Sequence, residues 1–435
     1  MLGNNCTPTR PELIESVIMN NTTDSADTKA TRFAMISVDE ALGYLLEQAR
    51  PVTESESLPL EVLRGRIVAQ TQCSLIDVPG FDNSSMDGIA VRSQDASGAT
   101  VTLNIAQRIA AGDTGVPLTQ GEAARIFTGA PLPPGADAVV MQENCEFRAD
   151  QVSFQGPVPI GQHVRPKGNN IRQGADILCA GARIRPQELG IAAAGGLAVL
   201  PVFRRLKVAF FSSGDELIEP GKSLQYGQIY NSNRYTLRGL VEGLGCESID
   251  LGIVEDSLTA TKGLLRDAAG RADVVISSGG VSVGEEDHIK AAIESVGRLE
   301  MWNIAVKPGK PVAYGRIGEA DFLGLPGNPV STLVTFCLFA RPFIMRRQGV
   351  TDVLPQRVPV VADFDWPTPM RRREFVRARI NIDADGRAIA GLFPKQGSDV
   401  LSSTVWASGL VEIPEHTTVA KGDLVAYLDF EQLLH

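Results

Sequence analysis

The sequence has few histidines, four in 435 residues, and its six cysteines, at 6, 73, 145, 179, 246 and 337, never fall into C-x-x-C spacing. The first scarcity leaves little material for histidine-based metal or triad chemistry. The second argues against zinc sites and disulfide frameworks and for reduced, packed thiols in a cytoplasmic protein. No apolar run approaches the roughly 20 residues of a membrane span. The segment 1–34 lacks the apolar stretch of a secretory signal and is expected to be a disordered tail. A basic field is missing as well: 41 Lys and Arg against 51 Asp and Glu give a formal charge of −10, which excludes a general nucleic-acid binder. What remains is a globular composition, 43% hydrophobic and 21% charged, at a length that sets a prior of about three domains.

Residues 37–50 read as a capped amphipathic helix, with Ser37 before Asp39 and Glu40 and with Pro51 ending it. A second short helix is expected at about 58–68. From 72 to 168 short β-like segments (GIAVRS, TLNIAQRI, AARIFTG, DAVVMQE, QVSF) alternate with Gly and Pro, the pattern of a small β domain. The flanking stretches 35–71 and 169–205 are expected to form one discontinuous, elongated linker domain. From 206 to 350 strands and helices alternate, which implies a largely parallel sheet with helices on both faces. Residues 351–435 return to short strands and are read as a β-barrel.

Three strands of the alternating region end in turns rich in Gly, Ser or Pro, and loops at strand carboxyl ends are where open α/β sheets bind ligands. Ser277, Ser278, Gly279 and Gly280 follow strand DVVI. They make either a tight turn or a cradle of backbone N–H groups and hydroxyls for phosphate. Ser212, Ser213 and Gly214 repeat the design after VAFF. Glu216, Asp256 and Asp287 stand after strands near helix starts. They read as helix caps or as converging hard-oxygen ligands for Mg²⁺. Lys307 and Lys310 flank Pro308 and Gly309, and a proline-stiffened turn carrying two cations suits an oxyanion. Leu325-Pro326-Gly327-Asn328-Pro329 opens a helix, with Asn328 as N-cap and Pro329 as first helical residue. Further upstream, Asp87 closes the polar turn DNSSMDG, and Thr128 follows strand RIF.

In order, the segments PGFDNSSMDGIAVR, RIFTGAPLPPGADAVVMQE, VRPKGNNIRQGADIL, FFSSGDEL, GQIYNSN, VVISSGGVSVGEEDHIK, AVKPGKP and GLPGNPVS span nearly the whole chain. Together they resemble the molybdopterin molybdenumtransferase (molybdenum insertase) family, including the C-terminal domain of gephyrin. The resemblance implies a multidomain α/β plus β fold: a doubly wound molybdopterin-binding α/β domain, a small β domain, an elongated linker domain and a C-terminal β-barrel. It implies a homodimer that inserts molybdenum from molybdate into adenylylated molybdopterin, with Mg²⁺ required and AMP released. By motif, Asp87, Thr128, Glu216, Asp256 and Asp287 match catalytic positions, the last three also as metal ligands. Ser212, Ser213, Gly214, Ser278, Gly279, Gly280, Pro326, Gly327, Asn328 and Pro329 match cofactor-binding positions. Lys307, Lys310, Ser331, Arg372 and Ser403 match positions associated with molybdate. Two residues depart from the family pattern: Ile89 in place of the usual Tyr, and Asn303 where a basic residue is common.

Two other functions are compatible with parts of this pattern. A molybdopterin adenylyltransferase-like enzyme needs a similar α/β domain but not residues 35–205 or the barrel. A non-catalytic molybdopterin-binding scaffold needs the fold without the turnover. Partners implied by the resemblance are the pterin substrate, the adenylyltransferase that precedes this step and the recipient molybdoenzymes, with no nucleic acid and no membrane.

Overall fold

The computed structural model describes residues 35–255, 257–280 and 288–434. The expected tail 1–34 lies outside them, as do Asp256 and Asp287. The chain divides into two compact units, one of residues 57–64 and 68–202 and one of residues 35–56, 65–67 and 203–434 among those described.

The first unit is built on a six-stranded sheet in the order Ala138–Met141, Gly88–Val91, Glu122–Ile126, Thr100–Ile109, Gln151–Gln155 and Cys145–Arg148. Thr100–Ile109 alternates exposed and buried positions over much of its length, as a half-covered strand must. Gly88–Val91 is buried throughout, with Ile89 and Val91 on one packed face and Ala90 on the other. The departure at Ile89 therefore fills a core position. A smaller cluster of Leu63, Val68, Leu178, Ile184, Ala192, Leu200 and Val202 joins the stretches on either side of the sheet. The helix expected at 58–68 is a single 3₁₀ turn, Leu60–Val62. Pro59 and Gly65 within the pattern are the reason, since neither supports a helix interior.

The second unit holds a seven-stranded sheet in the order Met35–Ile36, Arg298–Ile304, Pro311–Ile317, Ala320–Leu325, Val274–Ser278, Lys207–Ser213 and Glu247–Val254. The last four run parallel, and Arg298–Ile304, Pro311–Ile317 and Ala320–Leu325 are joined antiparallel. Apolar residues of successive positions pack on opposite faces: Val208 and Phe210 against one cluster, Ala209 and Phe211 against another. Helix Ser232–Gly243 covers the first face, and helices Leu258–Arg271 and His288–Val296 cover the second. Helix Val38–Gln48 carries the capping box of Ser37 and Glu40. Its Val38, Ala41 and Leu45 enter the core of this α/β sheet. The helix expected in a linker is thus part of the second unit, because its apolar stripe finds its largest partner there.

The helix opened by Pro329 is Pro329–Thr335 continued through a π-helical turn, Phe336–Ala340, into Arg341–Arg347, almost wholly buried. Beyond it, Val358–Ala362, Arg373–Ile382, Ala388–Leu392, Gly409–Ile413 and Leu424–Asp429 close into a five-stranded barrel around Val360, Val376, Val411 and Val425. Closure follows from Arg373–Ile382 pairing with two neighbours and Val358–Ala362 pairing with the other two ends. The short strand Val306–Lys307 adds to the barrel through Arg373 and Glu374. No helix among the described residues is long and apolar enough to cross a membrane. Cys73, Cys145, Cys246 and Cys337 carry no disulfide. Cys179 is disulfide-bonded, against the expectation of reduced thiols.

Candidate active site

In the second unit the register of the parallel strands brings Ser212, Ser278 and Leu325 into one row. The chain then leaves all three strands in the turns singled out by sequence. These turns touch backbone to backbone. Gly279 donates its N–H to the Leu325 carbonyl (3.0 Å). It has φ +93°, and a Cβ there would lie 2.8 Å from the Ser213 carbonyl oxygen, so only glycine fits. Such packing leaves little room for anything but main chain and small polar groups, which is what a phosphate cradle requires.

Two asparagines at the start of helix Ser232–Gly243 tie these turns together, and sequence reasoning gave neither a role. Asn231 caps the helix through Arg234 N–H, and its Oδ1 also accepts from Ser212 Oγ at 3.2 Å. Asn233 Nδ2 donates to Ser278 Oγ and to the Gly327 carbonyl, both at 2.7 Å. Asn231 Nδ2, Asn233 Oδ1 and Ser277 Oγ are buried without a partner among the described residues. Unpaired buried polar atoms are uncommon, and a bound water, an ion or a catalytic role is the usual explanation.

Glu216, on the turn after Lys207–Ser213, is exposed, and its carboxylate makes no ion pair or side-chain hydrogen bond among the described residues. It lies against Gly214, where a Cβ would come within 2.6 Å of its Oε2. A hard, unengaged carboxylate of this kind suits Mg²⁺ as a donor type. Among the described residues no group of three or more His, Cys, Asp or Glu side chains comes together. The expected partners of Glu216, Asp256 and Asp287, lie outside those residues.

The two lysines of KPGKP differ. Lys307 Nζ is 2.8 Å from Glu374 Oε1, a carboxylate only 3% exposed, which also accepts from Trp366 Nε1 (2.8 Å). Lys310 is exposed and has no ion-pair partner among the described residues. The turn packs on helix Pro329–Thr335: a Cβ on Gly309 would meet Thr335 Cγ2 at 2.4 Å and Ser331 Cβ at 3.6 Å. Ser331 is buried under it. Asn328 stands at the N-cap as expected, but its side chain caps nothing. The Val330 N–H instead donates to the Ser398 carbonyl (3.0 Å), and Thr332 Oγ1 reaches back to the Pro326 carbonyl (2.6 Å).

Arg372 is half-buried. Ser403 is fully buried; it donates to the Val400 carbonyl (2.6 Å) and accepts from Arg377 Nε (3.0 Å). Its hydroxyl hydrogen is therefore committed inside the barrel. Arg377, which the sequence reading passed over, is buried with no carboxylate at ion-pair distance among the described residues. Burial pushes its guanidinium down to about 10.

In the first unit Asp87 and Thr128 meet. Asp87 Oδ1 accepts from both the backbone N–H and the hydroxyl of Thr128, each at 2.8 Å. These bonds, the backbone one foremost, hold the carboxyl below its usual range, so it stays ionised and fixed in direction. The turns are braced alongside: Gly129 N–H donates to the Ser84 carbonyl, and Ser84 N–H to the Ala130 carbonyl. Arg125, also unremarked in the sequence, donates to the Gly88 carbonyl (3.2 Å) and stacks on Phe127 and Phe147.

Comparison with known proteins matches the chain region by region. The MoeA N-terminal region (domain I and II) matches residues 36–196, a probable molybdopterin binding domain matches 209–346, and the MoeA C-terminal region (domain IV) matches 359–430. A molybdopterin molybdenumtransferase of Haemophilus influenzae is 39% identical over 407 residues, covering 92% of this chain and 100% of its own. Molybdopterin molybdenumtransferase 2 of Mycobacterium tuberculosis is 36% identical over 395 residues, covering 88% and 96%. A solved molybdopterin biosynthesis MoeA protein of Pyrococcus horikoshii superposes with a TM-score of 0.74 at 32% identity, covering 91% of this chain and 99% of that one. With three regions matched in order and relatives aligned along almost its whole length, the chain belongs to the molybdopterin molybdenumtransferase family.

Proposed function

We propose that the protein inserts molybdenum from molybdate into adenylylated molybdopterin, releasing AMP, as a Mg²⁺-dependent homodimer in the cytoplasm. The observation that carries this is the row of strand-end turns at Ser212, Ser278 and Leu325, held together by Asn231 and Asn233. It offers backbone N–H groups and the Ser278 hydroxyl to the phosphate of a pterin. Lys310, which has no ion-pair partner among the described residues, is a cation available to an oxyanion, with Lys307 holding its turn and Ser331 beneath it. Asp87, kept ionised by Thr128, is a fixed anionic group for the reaction. Glu216, with Asp256 and Asp287 as the expected further ligands, would hold Mg²⁺, which supplies neutralisation of phosphate charge when bound. The chain reads as four parts, with the elongated linker formed largely by the residues around Leu63, Leu178 and Ala192.

Incubation with adenylylated molybdopterin, Mg²⁺ and molybdate tests the reading. AMP release together with activation of a cofactor-free molybdoenzyme is the expected result. Absence of AMP release from folded protein refutes it. The adenylyltransferase alternative instead yields AMP attached to the pterin from ATP, and the scaffold alternative yields neither.

A further inference from the structure

Building on the proposed pterin site, we infer that Asn233 is a positioning residue that aims the Ser278 hydroxyl at the ligand's phosphate, while Asn231 turns Ser212 the opposite way. The two Ser-Ser-Gly turns look alike in sequence, but their hydrogen bonds run in opposite senses. Asn233 Nδ2 must be the donor, because it also serves the Gly327 carbonyl (2.7 Å), which only accepts. Ser278 Oγ therefore accepts (2.7 Å), and its own hydrogen has no acceptor among the described residues. That hydrogen is what an anion needs, and a hydroxyl already accepting one bond donates more strongly.

At the neighbouring turn the sense reverses. Asn231 Oδ1 accepts the Arg234 N–H (3.2 Å), so it is an acceptor for Ser212 as well, and the Ser212 hydrogen is used up inside the protein. Ser212 is left with lone pairs, which repel phosphate. The Ser278 turn takes the phosphate, and the Ser212 turn faces a part of the ligand that does not carry that charge.

A purely structural crosslink does not account for Asn233. The residue is about nine-tenths buried, yet Oδ1 has no partner among the described residues. Leaving a buried carbonyl unpaired is a cost that folding alone gives no reason to keep. The gain is geometric: one amide fixes both the Ser278 turn and the Pro326-Gly327-Asn328 turn, which lie so close that a Cβ built on Gly327 would be 3.6 Å from Gly279 Cα.

The test is anaerobic equilibrium titration with molybdopterin and with the same pterin after phosphatase treatment. Wild type is expected to prefer the phosphorylated form. Ser278→Ala and Asn233→Ala should each lower that preference about tenfold, the size of one charge-assisted hydrogen bond. The double variant should lose no more than either single one, because both remove the same bond. Ser212→Ala should weaken both ligands alike. Asn233→Asp, of unchanged size, stands in where the alanine variant does not fold, and it should lose the preference at least as fully. Retained preference in both Asn233 variants, or losses that multiply in the double variant, overturns the inference alone. Failure of wild type to bind either pterin overturns the proposed function and the inference with it.

Discussion

Replacing Lys307 by Met separates the structural task of this lysine from its expected part in anion binding. In the structure its ammonium is 2.8 Å from Glu374, which is 3% exposed and has Trp366 Nε1 as its other donor. Removing one partner of a buried pair costs about 3–5 kcal/mol, because the remaining charge is stranded. Lys307 is itself 39% exposed, so water replaces part of the lost interaction, and the cost falls to about 2 kcal/mol. For a unit of this size that lowers the melting midpoint by roughly 4–8 °C. Lys307→Met combined with Glu374→Gln removes both charges yet keeps an acceptor for Trp366. It should return to within about 1 kcal/mol of wild type and recover most of the molybdate-dependent AMP release. Lys310→Ala, by contrast, should melt like wild type and lose about tenfold or more in turnover, with a raised KM for molybdate. Calorimetry and the AMP assay on the four proteins decide the matter. A Lys307→Met variant that melts with wild type, or a double variant as unstable as the single one, refutes the reasoning.

Thr128→Val removes one of the two bonds to Asp87 Oδ1 and leaves the backbone N–H. The Asp87 carboxyl should move up toward its ordinary value, read by carboxylate NMR titration, and the acid limb of activity should shift to higher pH with it. An unmoved titration contradicts the assignment. Gly279→Ala places a Cβ 2.8 Å from the Ser213 carbonyl at φ +93°. It should cost about 1–3 kcal/mol and abolish pterin binding, checked by melting and by titration. At Asp273, burial alone would raise the carboxyl, but two bonds from Arg204 and one from the Lys207 N–H hold it below its usual range. Its contribution is present above its unfolded value and fades as pH falls through the folded one. Arg204→Ala should therefore be destabilised most near neutral pH and converge with wild type in acid, as denaturant titrations across pH would show.

Much of the fold was legible because local signals and global packing agree. Ser37 and Glu40 mark the start of Val38–Gln48, and the parallel strands read as apolar runs ending in glycine turns. The domain to which that first helix belongs was not legible, since an apolar stripe does not name its partner. At the site, the individual turns could be found, but their wiring could not. Asn231 and Asn233 lie in a quoted motif, yet their serines are 19 and 45 positions away. Asp87 and Thr128, 41 positions apart, meet through a strand pairing that nothing in the sequence announced. Lys307 read as a free cation because nothing nearby in sequence announces Glu374. Arg377 was overlooked because strand patterning places arginine in solvent, whereas here it is buried against main-chain carbonyls.

The strand Val306–Lys307 also has a bearing on how this protein breaks. It lays the α/β sheet's own chain along the barrel at Arg373 and Glu374, while Arg373 reaches Asp39 and the Ser398 carbonyl receives the Val330 N–H. A protease that cuts the connection between Arg347 and Val358 would therefore release nothing. The two fragments would migrate together until denatured, and a barrel expressed by itself would present unmatched hydrogen-bonding groups at Arg373 and Glu374. Gene fusions or deletions that separate the barrel from residues 35–350 would have to replace that seam, not merely join the ends of a linker.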